Sequence, residues 1–294
     1  MASGSNLYEY CGDDATNGTD PSGLEIISHC DLKTYLQKHI SYTETGWLCT
    51  KGSTGYFYGR YAGGDNVTKF GDSLESVILF QMADSSYKYR VKGSTEEDCL
   101  ANIKKQVEAR LRIVEKARNM RSSFGSDQQN VLDALKQKTV SPDQLYTQFN
   151  NAGATFACNL GAQLAFYGGI GNWGGSSTRK LQGDWVPGDW GYISNKAWKN
   201  LGTSLVGVPG WSAMYAGENI ICVGDDQYWG HSPKAEDVRS MQQWFDEIRS
   251  WTYTTPPQYT ANYYFFQVSW GRRTVNGEPE VSGNVTFPTV GLEK

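Results

Sequence analysis

Three side chains in the C-terminal half have the types and order of a thiol-dependent catalytic site: Cys158, Glu218 and His231. A thiol becomes a strong nucleophile when an adjacent base removes its proton, and that base works best when a third group orients it. We therefore interpret Cys158 as a candidate nucleophile, His231 as its base and Glu218 as the carboxylate that orients the base.

Small residues lead from Asn151 into a predicted helix that carries Cys158 in its first turns. The N-terminus of a helix has a partial positive charge and free N–H groups. Both favour the thiolate, which is the nucleophilic form of cysteine, and the N–H groups can also stabilise an oxyanion. The structural alternative is a buried cysteine in an alanine-rich helix, because free cysteine is among the most buried residue types.

Two apolar strands flank the segment 224–226, which is a strong hairpin signal. A loop of two or of four residues at this turn pairs Cys222 with Gln227. That register places Glu218 directly opposite His231, with Cβ atoms about 5 Å apart. A carboxylate at this position would orient the imidazole and stabilise its charged form. An incidental surface pair is the alternative.

Composition restricts the classes of protein to which the chain can belong. It has 294 residues, 39% of them hydrophobic, and a formal net charge of −4. The length suggests about two domains, and the apolar content excludes wholesale disorder. The mildly acidic balance argues against a dedicated nucleic-acid binder. No apolar run reaches about 18 residues, so we expect no membrane span.

Cysteine and histidine usage argues against a metal site. The six cysteines include no C-x-x-C pair, so we expect reduced thiols rather than a disulfide framework. Only three histidines are present, and the H-E-x-x-H pattern is missing. The glycine-rich segment 168–183 is not followed by G-K-[ST], so we interpret it as a lid or connector rather than a phosphate-binding loop. We expect neither a metal nor an organic cofactor.

The elements that position these residues follow from hydrophobic periodicity and from turn and cap signals. In the N-terminal half we expect strands at 54–61 and 76–82, and helices at 95–121, at 130–136 and from Ser141-Pro142 onward. In the C-terminal half we expect a strand from Trp190, a helix from Ser232-Pro233 with an apolar stripe beginning at Val238, strands at 263–270 and 281–288, and a hairpin turn at 275–277.

Three motifs, in order, resemble the small bacterial protein-glutamine γ-glutamyltransferases of spore coats. They are the segment 156–167, then PGDWGYISN, then GENIICVGDDQYWGH, and the likeness covers roughly residues 145–270. The resemblance implies that Cys158 is the nucleophile, His231 the imidazole and Glu218 a catalytic carboxylate. This sequence departs from the family at Ala157, where the family has glutamate, and in a long insert at 196–215.

The resemblance implies an α+β fold with a papain-like (NlpC-like) cysteine acyltransferase domain, its helix-borne cysteine packed on an antiparallel sheet. The implied reaction forms a thioester from a reactive protein glutamine and passes it to an amine, giving a crosslink, or to water, giving glutamate. We add Trp173, Asn219 and Trp229 as candidate substrate contacts. The alternatives are a papain-fold cysteine peptidase or peptidoglycan amidase, and a non-enzymatic binding module.

The N-terminal segment 6–24 resembles the end of the core of Rhs-repeat proteins. It reads as an N-L-Y-x-Y strand followed by a D-P-x-G-L motif at Asp20, Pro21, Gly23 and Leu24. In that family this motif marks autoproteolytic cleavage after the leucine and release of a C-terminal effector, usually a toxin.

The Rhs resemblance implies synthesis in the bacterial cytoplasm, delivery into target cells by a specialised secretion system (type VI is a candidate) and a cognate immunity protein. We divide the chain into a terminal remnant at 1–5, the end of the Rhs core at 6–24, a mixed α/β accessory region at 25–140 and a catalytic domain at 141–294.

Overall fold

The structure is a computed structural model that describes residues 47–52, 55–60, 74–125, 127, 129–151, 153–197, 216–232, 238–254, 258–263, 266–271 and 274–293. The chain divides into two compact units. The first contains the residues up to Leu111 together with 183–186 and 288–294, and the second contains 112–182 and 187–287. The boundary predicted near residue 140 lies inside the second unit.

The helices of the described segments are α1 (Leu74–Asp84), α2 (Glu96–Arg118), α3 (Gln129–Gln137), α4 (Pro142–Phe149), α5 (Cys158–Ile170) and α6 (Met241–Ser250). The strands up to the hairpin are β1 (Trp47–Gly52), β2 (Gly55–Arg60), β3 (Tyr89–Val91), β4 (Ser123–Phe124), β5 (Thr155–Phe156), β6 (Ser176–Lys180), β7 (Trp190–Asn195), β8 (Gly217–Gly224) and β9 (Gln227–Gly230). The later strands are β10 (Val238–Arg239), β11 (Thr252–Thr254), β12 (Gln258–Tyr263), β13 (Phe266–Gly271), β14 (Thr274–Asn276), β15 (Pro279–Val281) and β16 (Asn284–Pro288).

The first unit contains an antiparallel sheet in the order β1-β2-β3, together with α1. The predicted strand at 76–82 is wrong, because these residues lie within α1. A continuous apolar run does not distinguish a buried helix from a buried strand. Ile78 and Met82, one turn apart, are both fully buried, as one face of a helix requires. The expectation of reduced thiols is wrong for Cys99, which is disulfide-bonded.

The second unit is built on a sheet in which seven of the described strands take part. Its order is β10-β9-β8-β7-β16-β6, with β15 also paired to β7. The pairings of β8 with β7 and β9, and of β7 with β15, are antiparallel. Helices together with an antiparallel sheet confirm the predicted α+β class at that level, and the papain-like topology stays a prediction.

The predicted helix from Ser141-Pro142 is confirmed as α4. Ser141 accepts the backbone N–H of Gln144, and the Gln144 side chain accepts the N–H of Ser141, so the two form a capping box. The helix then packs Leu145 and Phe149 into a buried apolar cluster. The predicted helices at 95–121 and 130–136 are confirmed as α2 and α3.

The glycine-rich segment 168–183 is a connector only in part. Its first residues finish α5, and Ser176–Lys180 forms β6. Gly171 closes α5 in the left-handed conformation, with φ of 74°, which a glycine adopts without steric cost.

Two predictions for the C-terminal segment are wrong and a third is confirmed in part. Helix α6 begins at Met241 after the N-cap Ser240, and Val238 pairs with Trp229 in β10 instead of opening the helix. The predicted strand at 263–270 is confirmed for residues 266–270, which lie in β13, while Tyr263 ends β12, the strand with which β13 pairs. No hairpin forms at 275–277, since β14 pairs with β11 while β15 pairs with β7. The pairings of β14 with β11 and of β15 with β7 join segments that lie far apart in the sequence, so local turn signals do not reveal them.

Within the part of the chain that the structure describes, no helix is long and apolar enough to cross a bilayer.

Candidate active site

Cys158 is the first residue of α5, as predicted, and Ala157 caps the helix in an extended conformation. The segment that leads into the helix is held by contacts with residues 123–127. Strand β5 lies beside β4 in parallel, and the N–H of Ala157 donates to Asp127 Oδ1 at 2.8 Å. These contacts fix the point at which the helix starts, and therefore the position of the sulfur.

The side chain of Asn219 binds the sulfur directly. Its Nδ2 donates to Cys158 Sγ at 3.4 Å, while its Oδ1 accepts from Trp190 Nε1 at 3.1 Å. The indole N–H can only donate, so the bond to Trp190 orients the amide with its NH₂ group toward the sulfur. A donor at this position stabilises the thiolate.

The predicted register of the β8–β9 hairpin is wrong by one residue. Cys222 pairs with Tyr228 rather than with Gln227, and Gly224 pairs with Gln227 across the two-residue loop. The register shifts between Cys222 and Gly224, so Val223 is the extra residue of a β-bulge. If this register is extended by one residue beyond the Ile220–Gly230 pair, His231 lies opposite Asn219 and not opposite Glu218.

Glu218 lies on the opposite face of β8 from Asn219, because successive side chains of a strand alternate. Its Cγ lies 3.2 Å from the point that a Cβ on Gly230 would occupy, next to the ring of Trp244. Glu218 is nevertheless close enough for its charge to act on the sulfur. Burial and then the negative charge of Glu218 raise the pKa of the Cys158 thiol to about 11, against the hydrogen bond from Asn219, which lowers it.

Burial and the Glu218 charge outweigh the effect expected from the sequence, in which the helix N-terminus favours the thiolate of Cys158. Near neutral pH the neutral thiol is therefore the predominant form. A base is therefore needed to generate the nucleophile.

The imidazole of His231 packs against the helix that carries Cys158. A Cβ added at Gly161 would lie 2.8 Å from its Cγ and 3.2 Å from its Nδ1. Gly161 stands three residues after Cys158 and hence on the same face of α5. No hydrogen bond joins the imidazole to the thiol in the resting structure, and catalytic hydrogen bonds often tighten only when substrate is bound.

The hydrogen bonds of His231 go to Ser122 rather than to Glu218. Its Nε2 lies 3.1 Å from Ser122 Oγ and 3.2 Å from Ser122 O. Its Nδ1 is buried and has no hydrogen-bond partner among the described residues. The prediction that Glu218 orients the imidazole is therefore wrong for this structure, because Glu218 belongs to the other face of the ladder.

Aromatic rings enclose His231, which is 2% exposed. Phe156, Trp229 and Phe124 have ring centroids 5.8, 5.9 and 6.1 Å from the imidazole. This burial lowers the pKa of His231, against smaller opposing effects of the backbone at Ser122 and Phe156 and of the Asp127 charge. The ring is therefore neutral near pH 7 and able to accept a proton.

Tyr192 is a site residue that the sequence analysis missed. It pairs with Asn219 across β7 and β8, which places both side chains on one face. Burial raises its pKa to about 12, with further contributions from the charges of Cys158 and Glu218. Alternation along β7 is the signal that could have found it, since Trp190 lies on the same face.

The remaining candidate substrate contacts are engaged in packing. Trp173 packs on Tyr167, with ring centroids 5.6 Å apart, and donates from Nε1 to Val140 O. Trp229 is 2% exposed and packs beside His231. The cleavage motif at Asp20, Pro21, Gly23 and Leu24 lies outside the described residues.

Within the described segments, no group of three or more His, Cys, Asp or Glu side chains is placed to hold a metal ion.

Comparison with known proteins gives only a weak likeness. No protein-family model matches the chain, and no curated protein matches it. Among solved structures, the chain is similar to a transglutaminase from Geobacillus stearothermophilus without its C-terminal extension. The two are 13% identical, the match covers 64% of this chain and 92% of that chain, and the TM-score is 0.35. Because this score is low, the proposal below rests on the geometry of the site and on the sequence motifs.

Proposed function

We propose that the chain is a cysteine-dependent acyltransferase of the transglutaminase type, acting on glutamine side chains of proteins. One observation carries the proposal. Cys158 opens a helix, its sulfur accepts a hydrogen bond from Asn219 on the neighbouring strand, and the same helix packs against a buried neutral imidazole. A nucleophile, a donor and a base are thereby gathered at one helix end.

In the first half-reaction His231 takes the thiol proton, and Cys158 Sγ attacks the γ-carbonyl carbon of the glutamine amide. The tetrahedral oxyanion is held by backbone N–H groups at the start of α5. The C–N bond then breaks, the imidazolium returns its proton to the leaving nitrogen, and ammonia departs. A thioester between Sγ and the glutamyl carbonyl remains.

In the second half-reaction an amine or water attacks the thioester carbon. His231 accepts a proton from the incoming nucleophile and returns it to the sulfur as the thiol leaves. A lysine amine gives an isopeptide crosslink, and water gives glutamate. Glu218 and Tyr192 carry their charge and hydroxyl close to the sulfur, where each can interact with the incoming amine.

The test is incorporation of a primary-amine probe into a glutamine-containing donor protein. We expect label with the intact chain, and ammonia released in at least equal amount, because hydrolysis of the thioester releases ammonia without label. Cys158→Ala should remove both. Mass spectrometry of the donor then separates crosslinking from deamidation, because the two products differ in mass.

The matched control is Cys222→Ala. Cys222 is the other free cysteine among the described residues, is buried, and donates to Gly224 O instead of lying at the helix end. This variant should keep the activity. Label that persists in Cys158→Ala, or that disappears equally in Cys222→Ala, would contradict the proposed mechanism.

We also propose that the chain is a toxin effector, released after Leu24 from an Rhs-type protein and neutralised by a cognate immunity protein. The support is the motif at 20–24 in the sequence. Expressed behind an Rhs core, the intact chain should yield a fragment that begins at Glu25, and Asp20→Ala should abolish its release. Ser22→Ala, at the variable position of the motif, is the control.

A further inference from the structure

We propose that Ser122 is the positioning residue of this site, holding His231 with its proton on Nε2 so that Nδ1 is the basic nitrogen facing the cysteine helix. This inference deepens the proposed function and rests on it. Ser122 is 109 residues from His231 in the chain, and it belongs to none of the three motifs that suggested a catalytic role.

The tautomer follows from the partners of Nε2. This nitrogen lies 3.2 Å from the backbone oxygen of Ser122 and 3.1 Å from its hydroxyl oxygen. A carbonyl oxygen can only accept a hydrogen bond, whereas a hydroxyl oxygen can accept as well as donate. Both contacts are satisfied together when Nε2 carries the hydrogen. In a neutral imidazole, Nδ1 then holds the lone pair.

The surroundings of Nδ1, on the other side of the ring, favour an unprotonated nitrogen. Nδ1 has no hydrogen-bond partner in the described part of the chain, although His231 is 98% buried. It faces α5 at Gly161, where the missing side chain allows the imidazole to approach the helix one turn after Cys158. A buried lone pair without a partner is costly in a native structure, and a transferred proton would satisfy it.

Ser122 is itself held firmly by its neighbours in the chain. The N–H of Arg121 donates to Asn150 Oδ1 at 2.6 Å, and the N–H of Ser123 donates to Ala154 O at 2.9 Å. The second bond belongs to the β4–β5 pairing that leads directly to Cys158. One local structure therefore fixes both the nucleophile and the residue that orients its base.

Proton transfer leaves this arrangement intact. When Nδ1 takes the proton from Sγ, the S–H bond breaks, an N–H bond forms, and a thiolate and an imidazolium result. Nε2–H continues to donate to Ser122 throughout. The later transfer from Nδ1 to the leaving ammonia, or back to the sulfur, restores the starting tautomer.

Three readouts on the full chain test the assignment. Nitrogen NMR of the His231 ring should show the hydrogen on Nε2 and none on Nδ1 at neutral pH. Ser122→Ala should lower kcat of amine incorporation by roughly threefold to tenfold, the loss expected for one hydrogen bond, and leave KM unchanged. Alkylation of Cys158 by iodoacetamide should slow by a similar factor.

Ser122→Thr keeps the hydroxyl and should restore kcat. Ser123→Ala is the matched control, since Ser123 is the exposed neighbour in β4 and should leave all three readouts unchanged. A hydrogen on Nδ1, an unchanged kcat in Ser122→Ala, or an equal loss in Ser123→Ala overturns the assignment.

The NMR and alkylation readouts need no glutamine substrate, so they separate this inference from the proposed function. An intact chain that fails to label any glutamine donor, yet shows the Nε2 tautomer and the Ser122-dependent alkylation, would refute the acyl-transfer function and leave the positioning role standing.

Discussion

At the scale of single residues, the Cys158 sulfur experiences opposing electrostatic effects. Burial and the charge of Glu218 favour the neutral thiol, while the amide of Asn219 favours the thiolate. The first two effects dominate, so the resting thiol is protonated, and the proposed mechanism assigns its activation to His231. Protection of a thiol from adventitious oxidation follows from the same arrangement, since the thiolate is the reactive form.

We expect Asn219→Ala to raise the pKa of Cys158 further, because it removes the donor to Sγ. Thiolate at a fixed pH below that pKa should fall by roughly twofold to tenfold, which corresponds to one hydrogen bond. The rate of iodoacetamide alkylation at pH 8, followed on the Cys158 peptide by mass spectrometry, measures the change.

Trp190→Phe is the companion variant. It keeps the aromatic ring but removes the N–H that orients Asn219, so the rate should fall less than in Asn219→Ala. Equal rates in all three proteins would show that the amide does not act on the sulfur.

Glu218→Gln should have the opposite effect to Asn219→Ala on the pKa of the Cys158 thiol. Removing the negative charge lowers the pKa of Cys158 from about 11, so alkylation at pH 8 should become roughly twofold to tenfold faster. In every variant the rate should rise with pH up to the thiol pKa. If Glu218 also takes part in catalysis, as the motif implies, amine incorporation should decrease in the same variant.

Glu218→Asp keeps the charge and is the control for the alkylation result. A Glu218→Gln protein that alkylates no faster than the intact chain would mean that the charge does not reach the sulfur.

At the scale of elements, α5 serves the site through a glycine as well as through its N-terminus. Alanine is favoured over glycine in a helix interior by about 1 kcal/mol, yet a Cβ at Gly161 would lie 2.8 Å from the His231 ring. Gly161→Ala should therefore displace the imidazole and abolish most activity. Because overpacking costs about 1–3 kcal/mol and the helix gains about 1, the net loss of stability should stay below about 2 kcal/mol.

Activity and urea unfolding of Gly161→Ala should be compared with those of Gln163→Ala, a half-buried position on the same helix. Full activity in Gly161→Ala would show that the close approach of helix and imidazole is not needed.

The capping box of α4 should contribute stability without contributing chemistry. Ser141→Ala removes the acceptor for the Gln144 N–H, and such a change costs about 1 kcal/mol. Urea unfolding should show this loss while kcat per folded molecule stays unchanged. Thr147→Ala, on the exposed side of the same helix, should lower the folding stability less than Ser141→Ala does. An equal loss of stability in the two variants would show that the cap makes no special contribution.

At the scale of the whole molecule, an ion pair buried in the second unit supports the sheet that carries the site. Arg179 of β6 and Asp189, just before β7, are both fully buried, with 2.7 Å between Nη2 and Oδ2. The backbone oxygen of Asp189 also accepts from the N–H of Cys222 in β8. The aspartate of the P-G-D motif is therefore structural and joins strands that lie apart in the sequence.

Asp189→Asn should destabilise the protein by about 3–5 kcal/mol, because it leaves a buried guanidinium without its counter-charge. Chemical denaturation measures this loss. The double variant Arg179→Met, Asp189→Leu should recover much of the stability, since no charge is then buried. A double variant less stable than the single one would contradict this account of the pair.

Features that depend on residues close together in the sequence were predicted better than features that depend on distant residues. Cys158 at a helix start, the capped helix at Ser141 and the hairpin at 224–227 depend on neighbours within a few residues, and the sequence predicted each of them. The helix at 74–84 was missed because an apolar run carries no periodicity that separates helix from strand.

By itself, then, the sequence determined the candidate residues and most of the local elements on which they stand. The tertiary structure alone decided how these residues meet. One bulged residue at Val223 changes which side chain of β8 lies opposite His231 of the neighbouring strand, and a one-residue shift exchanges the two faces of a strand. The contact between Ser122 and His231 joins positions 109 residues apart, and it forms because the backbone pairing of β4 with β5 places Ser122 beside the start of α5.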